Sequence, residues 1–263
     1  MITKKEQLTA LVITFNEIGY IEKCIESVSF ADEIIVVDSF STDGTYEFLK
    51  DHPKVKVIQN PFENFTAQKS FALKQATNDW VLFLDADEIV SDALQNEITE
   101  TVASDTDISA FWFYRQFMFQ NEKLNYSGWQ TDKNYRLFRK SKAVFDCKIV
   151  HETLDVDGTS GILKEKLTHY CYKNYEDYKG KMLKYGRLKA IESFYKEKKF
   201  SYVMMVLKTS WKFFNHYILR LGILDGKKGF IICYLNSLGV LERYNELKQL
   251  EQKNELAYYL VMP

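Results

Sequence analysis

The first hundred residues constrain the fold most, because short runs of β-branched and aliphatic residues alternate there with stretches of helical periodicity. Leu8 to Phe15, Glu33 to Val37, Val55 to Gln59 and Trp80 to Leu84 read as strands. Between them, Tyr20 to Ser29, Thr42 to Lys50 and Phe65 to Ala76 carry apolar residues at helical spacing, as in Ile21, Cys24, Ile25 and Val28. The alternation predicts βαβ units, and so an α/β fold whose parallel sheet has helices on its faces. Ligands of such sheets bind outside the carboxyl ends of the strands. The polar residues there are Thr14-Phe15-Asn16-Glu17, Asp38-Ser39 and Asp85-Ala86-Asp87-Glu88, all expected on one rim.

From Ala110 to Tyr172 the pattern is aromatic and irregular, with strand-like pieces at 110–118, 135–139 and 167–172 that extend the sheet. After Asn174 the chain turns helical, over 175–199 and 202–221, breaks at 222–229, and ends in a helix to about Asn254. This divides it into a catalytic domain over 1–174, with a ligand-binding half over 1–100 and an acceptor half over 101–174, and a helical region over 175–263. Thirty-five basic against 36 acidic residues leave a net charge of −1 and no global positive field, which excludes nucleic acid as a partner by that route. Cys24, Cys147, Cys171 and Cys233 show no metal-site spacing and read as reduced thiols. With no signal-peptide pattern at the N-terminus and no run approaching the roughly 20 apolar residues of a spanning helix, a cytoplasmic location is expected.

Asp85 and Asp87 flank one small residue after an apolar strand, where their charges repel unless a cation lies between them. Mg²⁺ or Mn²⁺, held by one or two carboxylates plus substrate phosphates, resolves that repulsion; capping of the helix from Ser91 is the competing reading. Asp38 can accept from a ribose hydroxyl or a base N–H, or cap the following helix, while Asp43 reads as structural. Thr14, Asn16 and Glu17 suit the edge of a pyrimidine. Lys69 is a candidate for donor phosphates, as are Arg136 and Arg139, whose rigid forks suit a diphosphate. His151-Glu152 offers a candidate general base, and His169 is either a metal ligand or a core histidine.

The segments Leu11-Val-Ile-Thr-Phe-Asn-Glu17, Ile35-Val-Val-Asp-Ser39, Ser41-Thr-Asp-Gly-Thr45 and Phe83-Leu-Asp-Ala-Asp-Glu88 stand in order and at matching spacing. Through them the chain resembles family 2 glycosyltransferases of the GT-A fold, the nucleotide-diphospho-sugar transferase fold. It is most similar to lipopolysaccharide core β-1,4-glucosyltransferase-like members. Tyr135-Arg-Leu-Phe-Arg139, Val150-His-Glu152, Leu167-Thr-His169, Leu224-Asp-Gly226 and Gly229 continue the likeness over nearly the whole chain.

The resemblance implies a mixed sheet with helices on both faces plus a C-terminal helical extension. It implies nucleoside contacts from Thr14, Asn16, Glu17 and Asp38, and a DxD motif at Asp85 and Asp87. His169 would complete the metal shell, and Ser127-Gly128-Trp129 would form the acceptor loop. Glu152 would be the acidic base, with exchange of roles between His151 and Glu152 left open. The implied reaction is inverting transfer of a hexose, UDP-glucose being the first choice of donor, onto a glycan or lipid-linked glycan of the cell envelope. A nucleotidyltransferase lacks support, having no Gly-rich phosphate loop near the first strand, and an inactive nucleotide-sugar-binding module conflicts with the retained acids. The basic and aromatic mixture over 196–221 suits either a helix packed on the catalytic domain or peripheral contact with the inner face of the cytoplasmic membrane.

Overall fold

A computed structural model describes residues 6–129, 131–146, 153–172 and 174–261. Along the chain run β1 (Leu8–Thr14), α1 (Ile21–Ser27), β2 (Glu33–Asp38), α2 (Thr45–Asp51), β3 (Val55–Gln59), α3 (Phe65–Gln75), β4 (Trp80–Asp85), β5 (Glu88–Ile89) and α4 (Asp92–Ala103). There follow β6 (Ile108–Phe119), β7 (Glu122–Lys123), β8 (Lys133–Arg139), β9 (Ala143–Asp146), β10 (Thr153–Val156), β11 (Thr159–Ile162) and β12 (Leu167–Tyr172). The helices α5 (Tyr175–Tyr195), α6 (Tyr202–Phe214) and α7 (Gly226–Val261) complete the chain.

The residues divide into two compact units, one of residues up to Gln116 with Thr131–His169, the other of Phe117–Gln130 with Tyr170 onward. The division falls close to the expected boundary at 174 but also takes Phe117–Gln130 into the second unit. The stretch after Phe117, read from sequence as part of an acceptor half, packs its apolar side chains with the C-terminal helices.

In the first unit β1 pairs in parallel with β2 and β4, and β2 with β3. The strand order is β3-β2-β1-β4-β8-β6-β12-β5. The antiparallel pairings of β8 with β4 and β6, and of β12 with β5, make the sheet mixed. Because side chains alternate along a strand, Ala10, Val12, Ile34, Val36, Leu82 and Leu84 join Ile21, Cys24 and Ile25 of α1 and Leu94 and Ile98 of α4 in one buried cluster. Leu11, Ile13, Ile35, Val37, Val81 and Phe83 face Ala72 and Leu73 of α3 in another. Both faces are thus covered, as the near-continuous apolar runs require. Two caps agree with local chemistry, the side chains of Asn64 and Ser91 accepting from Ala67 N–H at 2.8 Å and Leu94 N–H at 3.3 Å. The short strand at Glu88–Ile89 carries no sequence signature and is set by its partner β12.

The second unit has its own core, in which Phe117, Phe119 and Leu124 pack with Tyr178, Ile232 and Leu235. Tyr178 is fully buried and its hydroxyl donates to Asn236 Oδ1 at 2.7 Å. After α6 the chain continues through a π-helical turn, Asn215–Leu219, and a 3-10 turn, Gly222–Asp225. Gly229 fits there because a Cβ would stand 2.0 Å from the Gly222 carbonyl oxygen.

Candidate active site

Strand register brings three sequence-distant residues to one edge of the sheet. Thr14 is the partner of Asp38, and Ile13 that of Asp85, so the last residues of β1, β2 and β4 stand side by side at their carboxyl ends. The loops beyond are fixed by polar contacts. Asn16, with φ of 55°, donates its N–H to Ser41 Oγ at 2.9 Å and accepts from Thr42 N–H at 2.8 Å. Glu17 donates its N–H to Thr45 Oγ1 at 3.0 Å. Asp43 accepts from Ile18 N–H and from the N–H and hydroxyl of Thr45, the structural role its sequence context predicts.

Asp38, expected at the ligand, is tied into its own loop. It is wholly buried, and its carboxylate accepts from Ser41 N–H at 3.1 Å, from the Ser41 hydroxyl, and from Gln59 Nε2 at 3.1 Å. Its three local bonds make it the anchor of the loop after β2. Thr14 Oγ1, also buried, has no hydrogen-bond partner among the described residues. Exposed rings follow β1, β2 and β3, namely Phe15, Phe40 and Phe62, which the sequence reading passed over because an isolated aromatic gives no pattern.

Asp85 and Asp87 meet different partners. Arg136 Nη2 donates to Asp85 Oδ2 at 2.5 Å and to Glu88 Oε1 at 2.6 Å. His169 Nε2 lies 3.3 Å from Asp87 Oδ1. The expected repulsion is therefore relieved on the Asp85 side by a protein guanidinium. Burial pushes Asp85 up, but Arg136, Lys69 and His169 outweigh it and hold the carboxyl well below the usual range. Lys69 of α3 thus contributes its charge to this acid while its Nζ lies 5.9 Å from the centres of the Phe65 and Phe83 rings.

Glu88, quoted only as the end of a motif, organises the site. It is fully buried, its Oε2 accepts from Asp85 N–H at 3.0 Å, and Arg115 Nη1 stands 3.6 Å from its Oε1. Burial pushes its carboxyl up, against the pull of Arg136. Cys24 Sγ lies beneath at 3.8 Å from the Asp85 carbonyl oxygen, its thiol raised well above normal by burial and then by Glu88, Asp87 and Asp85.

The two arginines expected at a diphosphate have acidic partners within the protein. Arg136 is 4% exposed and bound to Asp85 and Glu88, so it holds the acids where diphosphate recognition was expected. Arg139 pairs in register with Trp80, the first residue of β4, which puts it at the opposite edge from Asp85. There it binds Glu6 at 2.9 Å and stacks 4.4 Å above the Trp80 ring.

A Mg²⁺ or Mn²⁺ ion fits the donor set of Asp87 and His169, one hard oxygen ligand from the turn after β4 and one imidazole nitrogen from β12. Among the described residues no three His, Cys, Asp or Glu side chains form a cage. His151 and Glu152 lie outside the described residues.

Ser127, Gly128 and Trp129 belong to the second unit, where Asp225 builds their loop. Its Oδ1 accepts from Asn125 N–H at 2.9 Å, and its Oδ2 from Tyr126 N–H at 2.9 Å and Ser127 Oγ at 3.1 Å. The Ser127 carbonyl meets His216 Nδ1 at 2.8 Å, and Arg220 Nη1 donates to the Gly128 carbonyl at 3.2 Å. Gly128 has φ of 93° and a Cβ there would lie 2.9 Å from the His216 ring, so two constraints select glycine. Trp129 packs against Phe117, ring centres 4.7 Å apart.

The model of glycosyl transferase family 2 matches residues 9–170. An uncharacterized glycosyltransferase of Rickettsia felis is 30% identical over 266 residues, covering 96% of this chain and 94% of its own. The lipopolysaccharide core biosynthesis glycosyltransferase LpsC of Rhizobium meliloti is 26% identical over 253 residues, covering 91% of this chain and 94% of its own. Among solved structures, S. aureus TarS in complex with UDP-GlcNAc matches 94% of this chain and 92% of its own, at 14% identity and a TM-score of 0.47.

Proposed function

Since the chain belongs to glycosyl transferase family 2, we propose that it is an inverting, divalent-metal-dependent hexosyltransferase that uses UDP-glucose and acts on a glycan or lipid-linked glycan of the cell envelope. The observation that carries this reading is the meeting of Asp87 with His169 at 3.3 Å, beside an Asp85 already neutralised by Arg136. The full-length similarity to LpsC supports an acceptor in lipopolysaccharide core assembly. A cytoplasmic location is part of the reading, because scattered cysteines without pair spacing suit a reducing compartment.

In this mechanism Asp87 and His169 would hold Mg²⁺ or Mn²⁺, which would supply positive charge to offset that developing on the departing diphosphate. Thr14, Asn16 and Glu17 line the nucleoside side of the rim. Lys69 adds a positive charge on the phosphate side. Arg136 keeps Asp85 ionised, and Glu88 holds the Asp85 backbone N–H. Ser127, Gly128 and Trp129 receive the acceptor, whose hydroxyl attacks the anomeric carbon opposite the leaving oxygen. Glu152 removes the hydroxyl proton, with His151 as the alternate base. The new C–O bond forms as the bond to UDP breaks, and the α-linked donor yields a β-linkage.

Titration of wild type and Asp87→Ala with a panel of UDP- and GDP-sugars, with and without Mn²⁺ or Mg²⁺, tests the reading. Metal-dependent binding of UDP-glucose, lost in Asp87→Ala, is expected. Unchanged binding in the variant without metal sinks it. For the base, Glu152→Gln is expected to keep donor affinity and lose transfer; full transfer in that variant moves the role to His151.

A further inference from the structure

Between Lys198 and Leu224 the sequence has no acidic residue and five cations, Lys198, Lys199, Lys208, Lys212 and Arg220, in a chain whose total charge is −1. The structure gives this stretch two faces. Met205, Thr209, Phe213 and Tyr217 are half-buried. Phe213 and Tyr217 hold the ring of Phe230 of α7 at 5.7 and 5.8 Å. On the other face Val203, Leu207, Trp211, Phe214 and Ile218, spaced three or four residues apart, are 41 to 67% exposed. One side of α6 therefore serves as the packing side, and a second, equally apolar side has no core role.

Beside that stripe, a cleft of about 650 Å³ between α6 and α7 is lined by Lys198, Lys199, Lys208, Lys212 and Arg243 and by no acid. Arg243 Nη2 donates to Ser193 Oγ at 2.9 Å, while its buried Nε has no hydrogen-bond partner among the described residues. No carboxylate among the described residues lies within ion-pair distance of Lys198, Lys199, Lys208 or Lys212. Burial, then Lys189 and Arg220, push Lys212 down. Gathered cations without counter-charges are costly unless an anion enters among them.

An apolar stripe rich in Trp, Phe and Leu beside a cationic rim is the arrangement of a helix lying in a membrane interface. A second copy of the chain is a poor occupant, because a two-fold interface would set these lysines against their own copies. We propose that this face of the second unit docks on a bilayer rich in anionic phospholipid, with the α6 stripe entering the interface and the cleft taking a lipid phosphate. No described helix is long and apolar enough to cross a membrane, so the contact is peripheral. It stands independently of the donor and acceptor chemistry above.

The test is flotation of the full chain with phosphatidylcholine vesicles and with vesicles containing phosphatidylglycerol, at low and at roughly physiological salt. Binding to the anionic vesicles, weakened by salt, is expected. Lys208→Glu with Lys212→Glu lowers partitioning by more than about tenfold, since each cation near such a surface contributes on the order of 1 kcal/mol. Leu207→Ser with Phe214→Ser lowers it separately, while circular dichroism and thermal unfolding stay as in wild type. Brominated acyl chains quench part of the tryptophan emission of wild type and less of Trp211→Phe. Equal partitioning of the charge-reversed variant and wild type overturns the proposal, as does no flotation of wild type at low salt. Displacement of the protein from vesicles by millimolar glycerol phosphate overturns it in favour of a soluble anion. A concentration-dependent dimer dissolved by the serine variants overturns it in favour of a second copy.

Discussion

Replacing Arg136 by Met removes the cation between two acids and leaves a side chain of similar length. Arg136 is 5% exposed in its side chain, Glu88 0% and Asp85 32%, so the effect centres on Glu88, and the Asp85 contact is partly screened by solvent. Breaking a buried pair by deleting one partner costs about 3–5 kcal/mol. Arg115 Nη1, 3.6 Å from Glu88, retains some compensation, which puts the expected loss near 3 kcal/mol. At roughly 2–4 °C per kcal/mol for a domain of this size, the first transition falls by about 6–12 °C. The loss depends on pH. Burial already raises Glu88, and without Arg136 its folded value climbs further above its unfolded value near 4.3. A group whose folded pKa is raised keeps its full stability below the unfolded value and loses it as pH rises through the folded value. The variant's deficit should therefore be complete at neutral pH and shrink towards pH 4.5. Differential scanning calorimetry at both pH values measures this, with Arg136→Met/Glu88→Gln recovering more than half of the loss. A shift under about 2 °C, or a deficit that grows on acidification, refutes the assignment of Arg136 as the cation of this cluster.

His169→Ala should weaken Mn²⁺-dependent donor binding, read by calorimetry, while leaving the unfolding transition within a few degrees of wild type; an unaltered metal requirement counts against His169 as a ligand. Gly128→Ala has both a left-handed backbone and the His216 ring against it, and a cost of roughly 1–3 kcal/mol is expected, seen in urea titration followed by tryptophan emission. Asp225→Asn turns one of the two accepting oxygens into an N–H donor, so at least one of the bonds from Asn125, Tyr126 and Ser127 is lost, and faster amide hydrogen exchange is expected in this loop. Cys24 is fully buried with its thiol raised well above normal, so it should resist alkylation at pH 8 in the native protein and react on unfolding; prompt native labelling would show that the core beneath Asp85 opens.

The parallel half of the sheet was legible because β1, β2 and β4 are buried on both faces and their sequences are correspondingly apolar. Each of the four expected strands lies within about a residue of its observed span. The short strands β5, β7, β9, β10 and β11 were not legible, being two to four residues long, and β5 and β11 are held by partners remote in sequence. The candidate site was legible as a set of strand ends, but not in its pairings. Asp38 had the sequence context of a ligand contact, and only its burial with Ser41 and Gln59 shows that its oxygens are used within the protein. Arg136 and Arg139 stand three residues apart in one motif, yet strand pairing puts the first beside Asp85 and the second beside Trp80, at opposite edges. Asp225 carried only a motif likeness, since its partners lie about a hundred residues earlier.

That separation bears on how the chain emerges during synthesis. Asn125, Tyr126 and Ser127 share one acceptor residue, Asp225, which is made 98 to 100 residues later. At about 5–20 residues per second, the loop leaves the ribosome roughly 5–20 s before its acceptor is translated. The sheet of the first unit has its strands through β12 by about half of that interval. The segment from Phe117 onward must wait, held at both ends by chain already present, until the 3-10 turn before α7 arrives. A stop codon after Tyr172 would make that wait permanent, leaving three polar groups and the apolar side chains of Phe117, Phe119 and Leu124 without the partners that bury them.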